Sequence, residues 1–186
     1  MRSGLKFAGT ERGTSLIEMM IALLVLTVGL IGSMTLVSMA IGNNTRSKAG
    51  STNAALAEMV IDQISAIPVG GGVTSVSATD CAGNSVTINT SGTSSGSGAN
   101  LTTSGNIDFT QSFSSVPSGY AMSYTVCGVS TGTQSVYDVR WNVQLLPSGR
   151  AEFVVVGAKL SGSSSGYALL NAVPVNVRTV VGNDGN

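Results

Sequence analysis

The stretch GTSLIEMMIALLVLTVGLIGSMTLVSMAI, residues 13–41, decides how the rest of the chain is read. From Met19 to Ile41 no side chain is charged. As a helix such a run spans roughly 35 Å, enough for a hydrocarbon core of about 30 Å. Glu18 stands alone at its lip, where a carboxylate near hydrocarbon costs on the order of 2.5–3.5 kcal/mol and calls for a partner or a use. One use is local. Ser15-Leu16-Ile17-Glu18 fits the S/T-x-x-E capping box, and an acid in the first turn suits the helix dipole.

Two targeting readings account for part of this pattern. Ser38-Met39-Ala40 could serve as a secretory cleavage site, but the apolar run is too long for a signal peptide and opens on Glu18. A single-pass anchor explains the length, and its basic leader of Arg2, Lys6 and Arg12 places that end in the cytoplasm. It leaves Gly13 and Glu18 unexplained as a pair. No cysteine flanks the run to carry a lipid.

A short basic leader, then Gly13, a small polar pair, Leu16-Ile17-Glu18 and an apolar helix together resemble the class III signal of the type IV pilin superfamily. The resemblance implies that a prepilin peptidase removes residues 1–13 by cutting between Gly13 and Thr14. It further implies N-methylation of Thr14, and a role for Glu18 in a charge pair during assembly. Thr14 occupies a place that major pilins usually give to phenylalanine, which favours a minor subunit.

The helix is expected to run on past the membrane, from about Ser15 to Ile67, roughly 80 Å in all. Its first part, residues 14–41, is the transmembrane or filament-core segment, and residues 42–67 are an amphipathic continuation. Leu56, Val60, Ile64 and Ile67 form one apolar stripe there, with Glu58 and Asp62 off it. Gly29, Gly32 and Ser33 make a small-residue patch in the first part, and Thr35 stands near the place where many pilins carry a helix-breaking proline. Pro68 and Gly70-Gly71-Gly72 stop the element.

Residues 68–186 read as one β-rich head, giving an α+β chain: a long N-terminal helix whose second half packs on an antiparallel sheet. Residues 90–106 are Ser, Thr, Gly and Asn around a single sizeable apolar residue, Leu101, and read as a linker-like surface loop or a sugar- or surface-binding one. Alternation predicts half-buried strands. Tyr120, Met122, Tyr124 and Val126 share one face; so do Tyr137, Val139, Trp141, Val143 and Leu145, against Asp138, Arg140, Asn142 and Gln144. Leu146-Pro147-Ser148-Gly149-Arg150 turns this strand into a partner over Glu152 to Leu160. Val173, Val175, Val177 and Val181 mark a last strand, and Pro174 puts it at an edge. Trp141 reads as a core residue against the helix rather than a ligand platform.

Cys81 and Cys127 are the two cysteines. In a head delivered outside the cytoplasm, an even count favours one structural disulfide. With no histidine in the chain, neither a Ser-His-Asp nor a Cys-His arrangement can form, and two cysteines alone are too few for structural zinc. Asp80, Asp108, Asp138, Glu152 and Asp184 show no paired spacing; Asp108 is kept as a calcium alternative. An enzyme is not expected, nor a cofactor. The chain has nine basic and nine acidic residues, and loss of residues 1–13 leaves six against eight, net −2. That balance argues against nucleic acid, unless Arg140, Arg150, Lys159 and Arg178 converge on one face of the head.

Within the superfamily, the segments ALLVLTVGLIGS, LAEMVIDQI and YDVRW are most similar to minor pilins of the PilV type. That resemblance implies a subunit that helps prime a type IV pilus and sits at or near its tip. The implied partners are other major and minor pilins, the prepilin peptidase, the inner-membrane assembly platform and, before assembly, the membrane itself. It implies a single pass through the inner membrane with the head periplasmic, then residence in an extracellular pilus. The alternatives are a minor pseudopilin of a type II secretion system and a DNA-uptake or adhesive pilin.

Overall fold

The computed structural model describes residues 15–70, 72–128, 134–161 and 173–182. The leader, Gly13, Thr14 and Asp184 lie outside the described residues. One helix, α1, covers Leu16–Ser65 and is followed by an antiparallel sheet, so the chain is α+β. The strands are β1 (Ser75–Thr79), β2 (Ser85–Asn89), β3 (Ser97–Gly98), β4 (Ala121–Cys127), β5 (Gln134–Leu145), β6 (Ala151–Leu160) and β7 (Val175–Gly182). The chain divides into two compact units, residues 1–44 and 45–186.

In the second unit, the end of α1 buries Asn53, Leu56, Ala57, Val60 and Ile64. The stripe is therefore the expected one shifted by a turn, because the helix stops at Ser65 and Ile67 donates to the Ile64 carbonyl in a tighter turn before Pro68. Val69 is buried instead, and Ile67 is half-buried. Asn53 donates Nδ2 to the Val173 carbonyl at 3.4 Å, while its Oδ1 is buried without a partner among the described residues.

The main sheet has the order β3-β5-β6-β7, with β4 also pairing β5, and β1-β2 form a separate hairpin. The turn after β5 closes with Gly149 N–H on the Leu146 carbonyl, Gly149 taking a φ of 65° that glycine adopts without strain. Leu145 then faces Glu152 and Trp141 faces Val156. Among the described residues β7 pairs only with β6, which agrees with Pro174 just before it.

One face of β5 and β6 carries Tyr137, Val139, Trp141, Val143, Val154, Val156 and Ala158. These share one buried cluster with Leu56, Ala57, Val60 and Ile64 of α1. The opposite face was expected to be polar and solvated. It is not: Arg140 and Asn142 are buried too. Residues 99–116 lie across it, with Arg140 beneath the rings of Phe109 and Phe113 at 5.1 and 5.7 Å and donating Nη1 to the Gln111 carbonyl. Asp138 neutralises the guanidinium through both oxygens, and Asn142 Nδ2 donates to the Ala99 carbonyl. Gly157 is small because a Cβ there would collide with Ile107 and with the Asn176 amide.

Residues 90–106 likewise depart from the linker reading. They contribute β3 and a bridge from Thr93 to Gln144, and Ala99 is fully buried. Gly98 has a φ of 111°, and a Cβ on it would meet the Trp141 carbonyl and the Tyr120 ring. The glycines that imitate a flexible composition here permit close backbone approach to β5.

Candidate functional site

The first unit holds the exposed part of α1. Its large apolar side chains from Leu16 to Ile41 are more than half exposed, an apolar surface that water does not favour and that calls for a lipid or protein cover. It is near the N-terminus and long and apolar enough to cross a membrane. Its hydroxyls are compatible with hydrocarbon because each is satisfied within the helix. Thr27 donates to the Leu24 carbonyl, Ser33 to Gly29, Thr35 to Gly32 and Ser38 to Met34, at 2.7–2.9 Å. Glu18 lies in the first turn of α1, exposed and, among the described residues, without a hydrogen-bond or ion-pair partner. The first backbone bond runs from Met19 N–H to the Ser15 carbonyl.

An unpartnered carboxylate at the head of a helix that is uncharged from Met19 to Ile41 can pair with a cation supplied from outside the described residues. No protein family, curated protein or solved structure matches this chain. The residues themselves therefore carry the functional reading.

In the head, Cys81 and Cys127 form a disulfide between the β1-β2 turn and the end of β4. Asp80 reinforces the same junction. Its Oδ1 accepts from the backbone N–H of Ala82 and Asn84, and its Oδ2 from the Asn84 side chain and from Thr125 N–H on β4. The Asn84 side chain, with these backbone donors, holds the carboxyl down at about 2 from an ordinary value of 3.8. Asp80 had been one of the scattered carboxylates. The signal that identifies it is Asp80 followed by Gly83-Asn84, an Asx-type turn signature.

A depressed carboxyl contributes stability that is present above its unfolded value and is lost as the pH falls through its folded one. The stability difference between the wild type and Asp80→Asn is expected to be full at pH 5. It should narrow below pH 4 and be smallest near pH 2, as read by urea unfolding at each pH. A gap that stays constant across that range would show that the ionised form of Asp80 does not matter.

The other residues singled out are dispersed. Trp141 is fully buried, and its indole N–H donates to the Asn89 carbonyl at 2.9 Å. Asp108 accepts from the Thr110 hydroxyl and N–H, which lower its pKa. Among the described residues no group of three potential metal ligands forms. Arg140, Lys159 and Arg178 do share a sheet face by register, but Arg140 is buried against Asp138, and Arg178 donates to the Ser104 carbonyl and Asn106 Oδ1. They do not make an exposed basic stripe. Glu152, by contrast, is buried on the core-facing side of β6. Gly92 N–H donates to its Oε1 at 3.2 Å, and burial pushes its carboxyl pKa up.

Proposed function

We propose that this chain is a minor pilin of a type IV pilus, of the PilV type, which primes assembly at the inner membrane and sits at or near the pilus tip. The observation that carries the reading is the combination in one helix: Glu18 without a partner, a bare apolar segment whose hydroxyls are internally satisfied, and a second half that packs in a disulfide-bonded head. In this reading the apolar segment is held first by the membrane and then by the helices of neighbouring pilins. The prepilin peptidase releases Thr14, whose amine is methylated, and the assembly platform feeds the subunit into the filament. Among the described residues Arg140 is buried and paired with Asp138, which counts against the convergent cationic face that a DNA-uptake role asks for.

Intact-mass measurement on protein from sheared filaments tests the reading. The expected chain starts at Thr14 and carries one added methyl group. A chain that starts at Met1 in filaments, or at Ile41 as a secretory cleavage would give, is incompatible with it. Crosslinked filaments should co-purify with pilus subunits; recovery with secretion-system components instead would reassign the chain to a pseudopilin.

A further inference from the structure

Beside the end of α1 the head has a cavity of about 380 Å³, walled by Pro68, Val73 and Leu145 and reaching Ser91, Gly92 and Glu152. That volume lies in the range of small-molecule sites. Of the described residues lining it, Glu152 is the one titratable group. Only 8% of Glu152 is exposed, and its Oε1 receives the Gly92 N–H. Among the described residues no basic side chain comes within ion-pair distance of it, Arg150 included, although Arg150 stands two residues away on the same strand approach. The other Glu152 oxygen is not sealed in, since among the described residues Asn53 Oδ1 is the buried side-chain atom left without a partner, so that Glu152 oxygen is the one open to a ligand. Nothing in the strand asks for an acid here, since the residue opposite is Leu145 and an apolar side chain would pack against it at lower cost.

We propose that this cavity binds a primary ammonium group on an alkyl stem, with the ammonium at Glu152 and the stem along Pro68, Val73 and Leu145. The carboxylate selects a cation, and the apolar walls select carbon beside it. A hard metal ion needs about six oxygen ligands and finds one carboxylate. A guanidinium is best matched by a fork on both carboxylate oxygens, and the Gly92 N–H already takes one acceptor position of Oε1, so a single-point cation fits the open oxygen better. An ammonium is a compact charge with three donors, one of which the open carboxylate oxygen can accept while the others stay with water. This site does not depend on the pilin reading. The same chemistry is carried by a free amine and by a lysine side chain of another protein chain.

The test uses the full chain in detergent micelles, ¹⁵N-labelled, with n-butylammonium chloride as probe and KCl and n-butanol as controls. The Gly92 amide is expected to shift saturably with n-butylammonium at millimolar concentration and with neither control. In Glu152→Gln, a near-isostere that keeps the acceptor for Gly92, the affinity should fall at least tenfold. A second titration with Nα-acetyl-lysine methylamide separates the sources: a lysine site takes both probes, a free-amine site only the smaller. An equal Gly92 shift with KCl or n-butanol, or undiminished binding to Glu152→Gln, overturns the proposal. If that variant does not fold, the ¹³C titration of the Glu152 carboxyl in the wild type decides alone. Saturating n-butylammonium should raise its acid dissociation constant about tenfold, and no change overturns the site.

Discussion

Glu18→Gln protein is expected to be made, cleaved and inserted in the membrane at wild-type levels but to enter filaments at less than a tenth of the wild-type amount. The expectation follows from where the charge stands. Glu18 opens a helix that is apolar and uncharged through Ile41, and among the described residues nothing pairs with it. In the proposed filament of parallel helices offset along the axis, cleavage exposes a positive amine at Thr14, and Glu18 of one subunit meets that amine of a neighbour. At 4 Å and an effective dielectric of about 20, the attraction is about 4 kcal/mol before desolvation takes its share. As a helix cap alone, Glu18 would contribute about 0.3–1 kcal/mol, too little to decide whether a subunit assembles. Glutamine keeps the size and the polarity and removes only the charge. Immunoblots of sheared filaments and of membranes from the same cells measure both pools. Equal incorporation of Glu18→Gln would sink the charge pair; the capping-box bond between Glu18 and Ser15 is not made among the described residues, so what would remain for Glu18 is its small interaction with the helix dipole.

How far the fold could be read from the chain depended on whether neighbours in sequence were also neighbours in space. Period carries local information, so Leu56, Val60 and Ile64 marked the packed face of α1, and alternation marked Tyr137 through Val143 as one face of β5. Alternation also implied a wet opposite face, which is where the reading failed. Arg140 and Asn142 are polar, but their polarity is spent on Asp138, Gln111 and Ala99 under residues 99–116. The contacts that make this cover join residues 29 to 43 positions apart, and no local pattern announces them. Serine and glycine mislead similarly in residues 90–106: composition resembles a linker, whereas Gly98 is small so that the backbone can press against Trp141. For the sites the division is the same. Glu18 was legible because an acid beside hydrocarbon is costly wherever the chain goes. The partners of Asp80 include Thr125 on another strand, and the isolation of Glu152 depends on what surrounds it in three dimensions.

Replacing both cysteines by serine is expected to lower the unfolding free energy of the head by roughly 3–4 kcal/mol, the chain-entropy value for a loop of this size, with the cysteines 46 residues apart. A head of modest size has about 5–15 kcal/mol to lose, so the change should appear as a lower urea midpoint and as susceptibility to protease. The physical reason is the placement of the bond. The β1-β2 hairpin pairs with itself rather than with the main sheet, and the disulfide together with Asp80 ties its turn to the end of β4. Without the covalent tie the turn can lift from β4, so the Asp80 bond to Thr125 N–H and the Tyr124 hydroxyl bond to the Thr79 carbonyl are made only part of the time. The two restraints act on one junction, so their losses should not add. Asp80→Asn should therefore cost less in the serine background than in the oxidised protein, because the turn is then already free to leave β4. A double-mutant cycle by urea unfolding at pH 7 measures that coupling. Strict additivity would mean that Asp80 organises only its own turn and does not hold the hairpin to β4, whereas an unchanged midpoint in the serine variant would mean that the hairpin stays docked by its apolar contacts alone.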